Sequence, residues 1–156
     1  MKPGHVRDSQ VFTTELVLPN DTNQLGNLLG GRLMHWIDIA AAIAAQTHSG
    51  RVCVTASVDE LNFHHPIRLG DVVTLQASVN RVFHTSMEVG VVVTAHGLRG
   101  SPVRRANNAY LTFVALDEQG RPVAIPPIIP ETDDEKRRHE EALARRELRL
   151  QHRRTD

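Results

Sequence analysis

One run of thirteen residues constrains this fold more than any other. Leu33 to Ala45 reads LMHWIDIAAAIAA, with His35 and Asp38 its only polar residues and neither Pro nor Gly inside it. Ala, Leu and Met favour helix, so the run is predicted helical. Leu33, Met34, Trp36, Ile37, Ile39 and Ile43 project in every direction round such a helix. A helix apolar on all sides is buried in a core or spans a membrane. Spanning takes about 20 apolar residues, and this run is shorter and carries an Asp. The expectation is a helix buried inside a soluble domain, with Ala40, Ala41, Ala42, Ala44 and Ala45 letting other backbone approach closely.

Asp38 is the chemical anomaly in that helix. A buried carboxylate is expensive unless it is hydrogen-bonded or protonated, and such an environment suits a general base or nucleophile. A structural Asp bonded to a backbone amide or to His35 is the competing reading. Gly26, Gly30 and Gly31 are expected in a loop just before the helix, where they free the backbone to turn and leave amide N–H groups open. A helix N-terminus favours negative charge and its N–H groups can hold an oxyanion. Asp21, Thr22 and Asn23 bring hydrogen-bonding groups to the mouth of the same element.

The chain of 156 residues suffices for one domain with a core. Its 18 basic residues balance 18 acidic ones, which is not the charge pattern of a nucleic-acid binder. The N-terminus, MKPGHVRDSQ, has no apolar segment behind its charge and is not read as a secretory signal. A single cysteine excludes an intramolecular disulfide framework. Cytoplasm is therefore the expected compartment. Cys53, between Val52 and Val54, reads as a small buried residue rather than a nucleophile.

Val11 to Leu18 is a predicted strand stopped by Pro19. The helix should end near Gly50, with His48 as a surface cap of favourable charge. Further strands are expected over Val52–His65, Asp71–Phe83, Met87–Leu98 and Val103–Asp117, separated by turns at Pro66–Gly70, Gly97–Pro102 and Asp117–Pro122. His64 and His65 are adjacent on a strand and point to opposite faces, and no other Cys or His falls at zinc-site spacing, so no metal is expected. Arg104 and Arg105 could meet phosphates. After Pro126, Pro127 and Pro130, Thr132 to Gln151 reads as an exposed helix, capped by Thr132 with Glu135. Glu141 and Arg145 should pair on its face. The organisation is thus a flexible N-terminus over 1–10, a domain over 11–130, and a charged helix and tail over 131–156. About five strands and one buried helix make an α+β domain.

Asp21 to Ala45, D-T-N-x-x-G-x-x-x-G-G-x-L-M-x-W-I-D-x-A-A-x-I-A-A, resembles the hotdog-fold acyl-CoA thioesterases, in their branch of bacterial and cytosolic acyl-CoA hydrolases. The resemblance continues through V-T-A-S-V-D (Val54–Asp59), Phe63, Pro66, Gly70-Asp71, T-S-M-E-V (Thr85–Val89), T-F-V-A-L-D (Thr112–Asp117) and P-E-T (Pro130–Thr132). Leu29 stands where that family often has Phe. The resemblance implies a curved antiparallel sheet wrapped around one long helix, with edges paired into a dimer and dimers into a trimer of dimers. It implies hydrolysis of a fatty acyl-CoA to free fatty acid and coenzyme A. Asn23 and Asp38 match the family's catalytic pair, contributed by opposite subunits, with Asp38 implied as general base or nucleophile and Asn23 as the group that orients water or substrate. The Gly31 amide, with Gly30 beside it, becomes the expected oxyanion donor. Ser57, Val58 and Asp59 match a segment along which the pantetheine arm lies, and Thr85 and Ser86 lie in one near the coenzyme, whose phosphates Arg104 would meet. No cofactor or metal is required, since coenzyme A arrives with the substrate. Neither nucleic acid nor membrane is an expected partner. A hotdog acyl-CoA sensor, a dehydratase with a catalytic His at the helix start, and a scaffold are the alternatives; the scaffold leaves Asn23, Gly30-Gly31 and Asp38 unexplained.

Overall fold

The computed structural model describes residues 1–63, 65–99 and 101–155. The reading made for His64 lies outside the described residues. Five strands form one antiparallel sheet in the order β2-β4-β5-β6-β3. They are β2 (Val11–Leu16), β3 (Val52–Phe63), β4 (Val72–Val82), β5 (Ser86–His96) and β6 (Arg104–Leu116). A two-residue parallel pair, β1 (Gly4–His5) with β7 (Ile128–Ile129), closes one corner. The expected architecture of five strands, one long helix and a C-terminal helix is present.

The long helix α2 runs from Gly30 to Ser49. It ends as anticipated, because Gly50 takes the left-handed conformation (φ 68°) and its N–H returns to the Gln46 carbonyl at 2.8 Å. It starts earlier than its apolar run. Gly30 and Gly31 form its first turn rather than the loop before it, since the first-turn N–H groups need no intrahelical partner and glycine costs little there. Leu33, Ile37, Ala40, Ala41, Ala44 and Ala45 are buried against the inner face of the sheet. That face carries Leu75, Ala77 and Val79 of β4, Val89, Val91 and Val93 of β5, and Leu111 and Phe113 of β6.

Burial on every side of α2 is corrected by the structure. Ile39 and Ile43 are 45% and 40% exposed, and His35 lies on the same open side. One sheet can cover only one side of a helix. The edge strand β3 is likewise open, with Val52, Val54 and Val58 exposed. Among the described residues, no helix is long and apolar enough to cross a membrane.

Two terminal segments also differ from expectation. Val6–Ser9, expected as part of a flexible lead-in, forms a single helical turn, α1, with Val6 and Ser9 buried. The Ser9 hydroxyl donates to the Val6 carbonyl (2.7 Å) and accepts the Val79 N–H of β4 (3.0 Å), so this turn is tied to the sheet. The C-terminal helix α3 (Asp133–Thr155) has the anticipated capping box. Glu135 N–H donates to Thr132 Oγ1 at 3.0 Å, and Thr132 N–H donates to Glu135 Oε1 at 3.4 Å. It is not simply a solvated helix, however. It lies on the outer face of the sheet, where Ala142 is fully buried. Arg145 reaches Glu88 of β5 with two hydrogen bonds, 2.7 and 3.0 Å, instead of pairing with Glu141, which binds Arg137. The Arg145 guanidinium also stacks 3.6 Å from the centre of the Tyr110 ring. His48 is no surface cap either. Its Nε2 donates to the Pro126 carbonyl at 2.7 Å, and its ring packs so close to Gly4 that a side chain there would collide.

Candidate active site

Asp38 sits about two turns into α2, facing the edge of the sheet. The Thr55 hydroxyl donates to Asp38 Oδ1 at 2.7 Å. Thr55 pairs with Phe113 across β3 and β6, which puts it in the inward row beneath the helix. Asp38 is half-buried in the single subunit, and its Oδ2 makes no hydrogen bond among the described residues. One carboxylate oxygen is thus fixed and the other is open. The expected partner, a backbone amide or His35, is replaced by a strand hydroxyl that the sequence reading missed. Alternation carried no signal for it: Val52, Val54, Ala56 and Val58 read as one face of this strand, which leaves Thr55 on the other with Cys53 and Ser57.

The loop before α2 is built by its own side chains. Asp21 is buried; its Oδ2 accepts the Leu18 N–H (2.9 Å) and its Oδ1 meets Arg32 at 3.2 Å. The Thr22 hydroxyl donates to the Pro19 carbonyl. Asn23 is exposed, and its Oδ1 accepts the N–H groups of Leu25 (2.9 Å) and Asn27 (3.1 Å). These two donors fix the orientation of the amide, so the free end of the Asn23 side chain is its NH2. Gly26, at φ 77°, supplies the left-handed residue this turn requires. The N–H groups of Gly30 and Gly31 have no backbone acceptor among the described residues, and the space above Gly31 is open. Within one subunit, Asn23 and Asp38 do not bond to each other.

The residues expected around the coenzyme are spread along the sheet. A bulge between Thr55 and Ser57 breaks the alternation of β3. Val58 then pairs with buried Leu111 and faces the helix side, while Asp59 pairs with Tyr110 and points to the outer face. There Asp59 Oδ2 accepts from Arg149 of α3 at 2.7 Å. Ser57 Oγ is buried with no partner among the described residues, across the ladder from Thr112. The Thr85 carbonyl accepts the Ala115 N–H and the Ser86 carbonyl accepts the Phe83 N–H, so this hairpin sits at the Thr55 end of the sheet. Arg104 is at the opposite end. Its guanidinium donates to Asp71 Oδ2 at 2.7 Å, and Asp71 also holds the Arg68 N–H. Arg104 is therefore already paired. Glu88 is a latch for α3 and not a second acid at the site. Burial pushes the Cys53 thiol up, only partly offset by the Ser49 hydroxyl beside it, which argues against a thiolate nucleophile. No cluster of metal-ligating side chains occurs among the described residues.

The chain is similar to known proteins over most of its length. The sequence profile of the Thioesterase superfamily matches residues 25–100. The uncharacterized acyl-CoA thioester hydrolase YkhA of Bacillus subtilis is 42% identical over 139 residues, covering 89% of this chain and 81% of that protein. Acyl-coenzyme A thioesterase 11 of Mus musculus is 42% identical over 147 residues, and the chain spans only 25% of its length. An acyl-CoA hydrolase of Staphylococcus aureus, solved with butyryl coenzyme A, coenzyme A and coenzyme A disulfide, superposes with a TM-score of 0.90 at 38% identity, over 96% of this chain and 91% of that one. The same enzyme has been solved with an Asn, an Asp or a Thr replaced by Ala. With the sheet, its long helix and the open carboxylate already described, these matches establish that the chain belongs to the hotdog-fold acyl-CoA thioesterases of the thioesterase superfamily.

Proposed function

We propose that this protein hydrolyses a fatty acyl-CoA to the free acid and coenzyme A, with Asp38 as general base or nucleophile. The observation that carries the reading is the Asp38 carboxylate itself, oriented through Oδ1 by Thr55 and unoccupied at Oδ2. In the general-base route Oδ2 takes a proton from water. The hydroxide oxygen bonds to the thioester carbon, the carbonyl pair moves onto oxygen, and its return expels the thiolate. In the nucleophilic route Oδ2 bonds to the same carbon, collapse of the intermediate breaks the C–S bond and releases the thiolate, and water then cleaves the resulting anhydride to the free acid and the Asp38 carboxylate. Either route builds an oxyanion. The Gly31 N–H and the free NH2 of Asn23 are the donors for it, and a well-placed donor contributes about 3 kcal/mol.

Gly31 and Asp38 stand seven residues apart on α2, about 10 Å along its axis. One thioester carbonyl does not bridge that span easily. The donors of one subunit would therefore serve Asp38 of a second. The exposed Ile39 and Ile43 and the unpaired edge of β3 support a second copy on that side. A dimer, and a trimer of dimers beyond it, is the assembly proposed, in the cytoplasm. Spacing supports the residue roles as well. In the S. aureus enzyme the replaced Asn and Asp are 15 positions apart and the Asp and Thr 17, the same intervals as Asn23 to Asp38 and Asp38 to Thr55. Of the expected coenzyme contacts, the backbone of Ser57–Asp59 and the Thr85–Ser86 hairpin stay on the proposed path, while Arg104 would have to leave Asp71.

Thiol release from a series of acyl-CoAs tests the reading. Wild type should turn over, and Asp38→Asn and Asn23→Ala should each lose at least about 100-fold in kcat. Mixing the two inactive variants should restore activity, because one site of each mixed dimer then holds an intact pair. Tight binding of acyl-CoA by wild type with no thiol release would instead establish a sensor.

A further inference from the structure

Two adjacent arginines open β6, and the fold uses them differently. Alternation along the strand sends their side chains to opposite faces. Arg104 is taken by Asp71, whereas Arg105 is exposed and makes no hydrogen bond or ion pair among the described residues. Arg105 lines a cavity of about 220 Å³ between the outer face of the sheet and the first half of α3. Gly90 of β5 has no side chain to fill the floor of this cavity. Ser78 and Tyr110 stand on either side of Gly90, and Asn108 follows Tyr110 on the same face of β6. Ser78 is buried, yet its hydroxyl, like that of Tyr110, has no partner among the described residues. Asn108 makes no side-chain hydrogen bond there either, and its Oδ1 is buried, so the accessible end of its carboxamide is the NH2 donor.

The wall made by α3 is charged, but its charges answer one another. Asp134 pairs with both Arg137 and Arg138, and Arg137 also meets Glu141 at 3.3 Å. Among the described residues, Arg105 is thus the one guanidinium lining the cavity that has no carboxylate. A guanidinium fork with neutral donors beside it matches the oxygens of a phosphate group. We propose that this cavity is a phosphate-binding site, separate from the site of Asp38, in which Arg105, the Asn108 NH2 and the Ser78 hydroxyl donate to the phosphate oxygens. Asp134 and Glu141 line the same cavity, so the ligand carries its negative charge at one end only. An occupant held between β4, β6 and α3 ties the helix to the sheet, and it stabilises the fold in proportion to its occupancy. A separate phosphate compound and a phosphate of the coenzyme offer the same chemistry, and the experiment distinguishes them. The site takes no part in thioester cleavage and does not rest on the thioesterase reading.

Phosphorus NMR titration of the full chain with inorganic phosphate, at an ionic strength held constant with chloride, measures the site. Wild type should bind saturably, and its urea midpoint should rise with phosphate. Arg105→Gln should weaken binding at least about tenfold, and Asn108→Asp, which puts a carboxylate where the donor was, by a similar factor. Should Asn108→Asp fail to fold, Ser78→Ala reads the same wall, with an expected loss of about fivefold. Arg51→Gln, which removes an exposed arginine just beyond α2, should change binding by less than about twofold. No saturable binding by wild type, or equal losses in Arg105→Gln and Arg51→Gln, would overturn the proposal and leave a water-filled crevice. Turnover then separates the two sources. If the coenzyme supplies the phosphate, Arg105→Gln raises KM for acyl-CoA about tenfold and leaves KM unchanged for an acyl thioester of N-acetylcysteamine, which has no phosphate. If a separate compound supplies it, both KM values hold while phosphate binding is lost. A wild type that hydrolyses no acyl-CoA would sink the thioesterase reading, and the phosphate titration would still decide the site.

Discussion

The two long helices of this protein are attached to the same sheet by opposite means. α2 lies on the inner face and is held by apolar area, with Leu33, Ile37 and four alanines pressed on valines and leucines. α3 lies on the outer face, and among its described side chains only Ala142 is fully buried. It is held at points: Arg145 on Glu88, Arg149 on Asp59, Arg146 over Phe83, and the His139 carbonyl on Arg81. Area is forgiving of exchange among apolar residues of similar volume, so α2 can be tuned without being lost. Point contacts are not, because removing one partner leaves a desolvated charge behind. The helix that looks soluble in sequence is thus the one more sensitive to single charge changes.

That contrast can be broken at several places. Arg145→Ala should cost about 3–5 kcal/mol, because Glu88, 1% exposed, would keep its charge without its guanidinium. Urea unfolding measures it, and replacing both residues by apolar ones of similar volume should recover most of the loss. A cost under 1 kcal/mol would mean that α3 is a solvated appendage after all. Ala44→Leu on α2 should cost about 1–3 kcal/mol by overpacking, visible in the same unfolding curves. The smallest effect is a pH dependence. Burial, and then the Arg81 charge, hold His139 below the usual histidine range. The folded state therefore disfavours its protonation. Its contribution is complete above about pH 6.5, the unfolded value, and is lost as pH falls from there through the depressed folded value. His139→Gln should remove that part of the acid dependence, read as a flatter stability profile between pH 7 and 5.

Local patterns made much of this legible. Alternation located the strands, Gly50 the end of α2, and Thr132 with Glu135 the start of α3. Asp38 stood out because a carboxylate in an apolar run needs a reason. What escaped was non-local. Thr55 becomes a partner only when β3 passes beneath α2, 17 positions on. Arg145 has an attractive neighbour at Glu141 and prefers a buried carboxylate 57 residues away, because the buried site offers two bonds and an aromatic face. The paired glycines read as a loop, but a helix tolerates them in its first turn. The open side of α2 escaped for another reason: periodicity reports how apolar a helix is and not how many layers are there to cover it.

The Glu88 latch has a consequence for how the protein is made. The strands β4, β5 and β6 are adjacent in sequence and in the sheet, so they can assemble as they emerge. Arg145 follows Glu88 by 57 residues, which at about 5–20 residues per second is a delay of roughly 3–11 s. During that interval the outer face carries a carboxylate built for a partner not yet synthesised. The nascent sheet is held short of its final stability until α3 arrives, and a ribosome stalled before Arg145 would hold a chain with all of its described strands made and none of its lock.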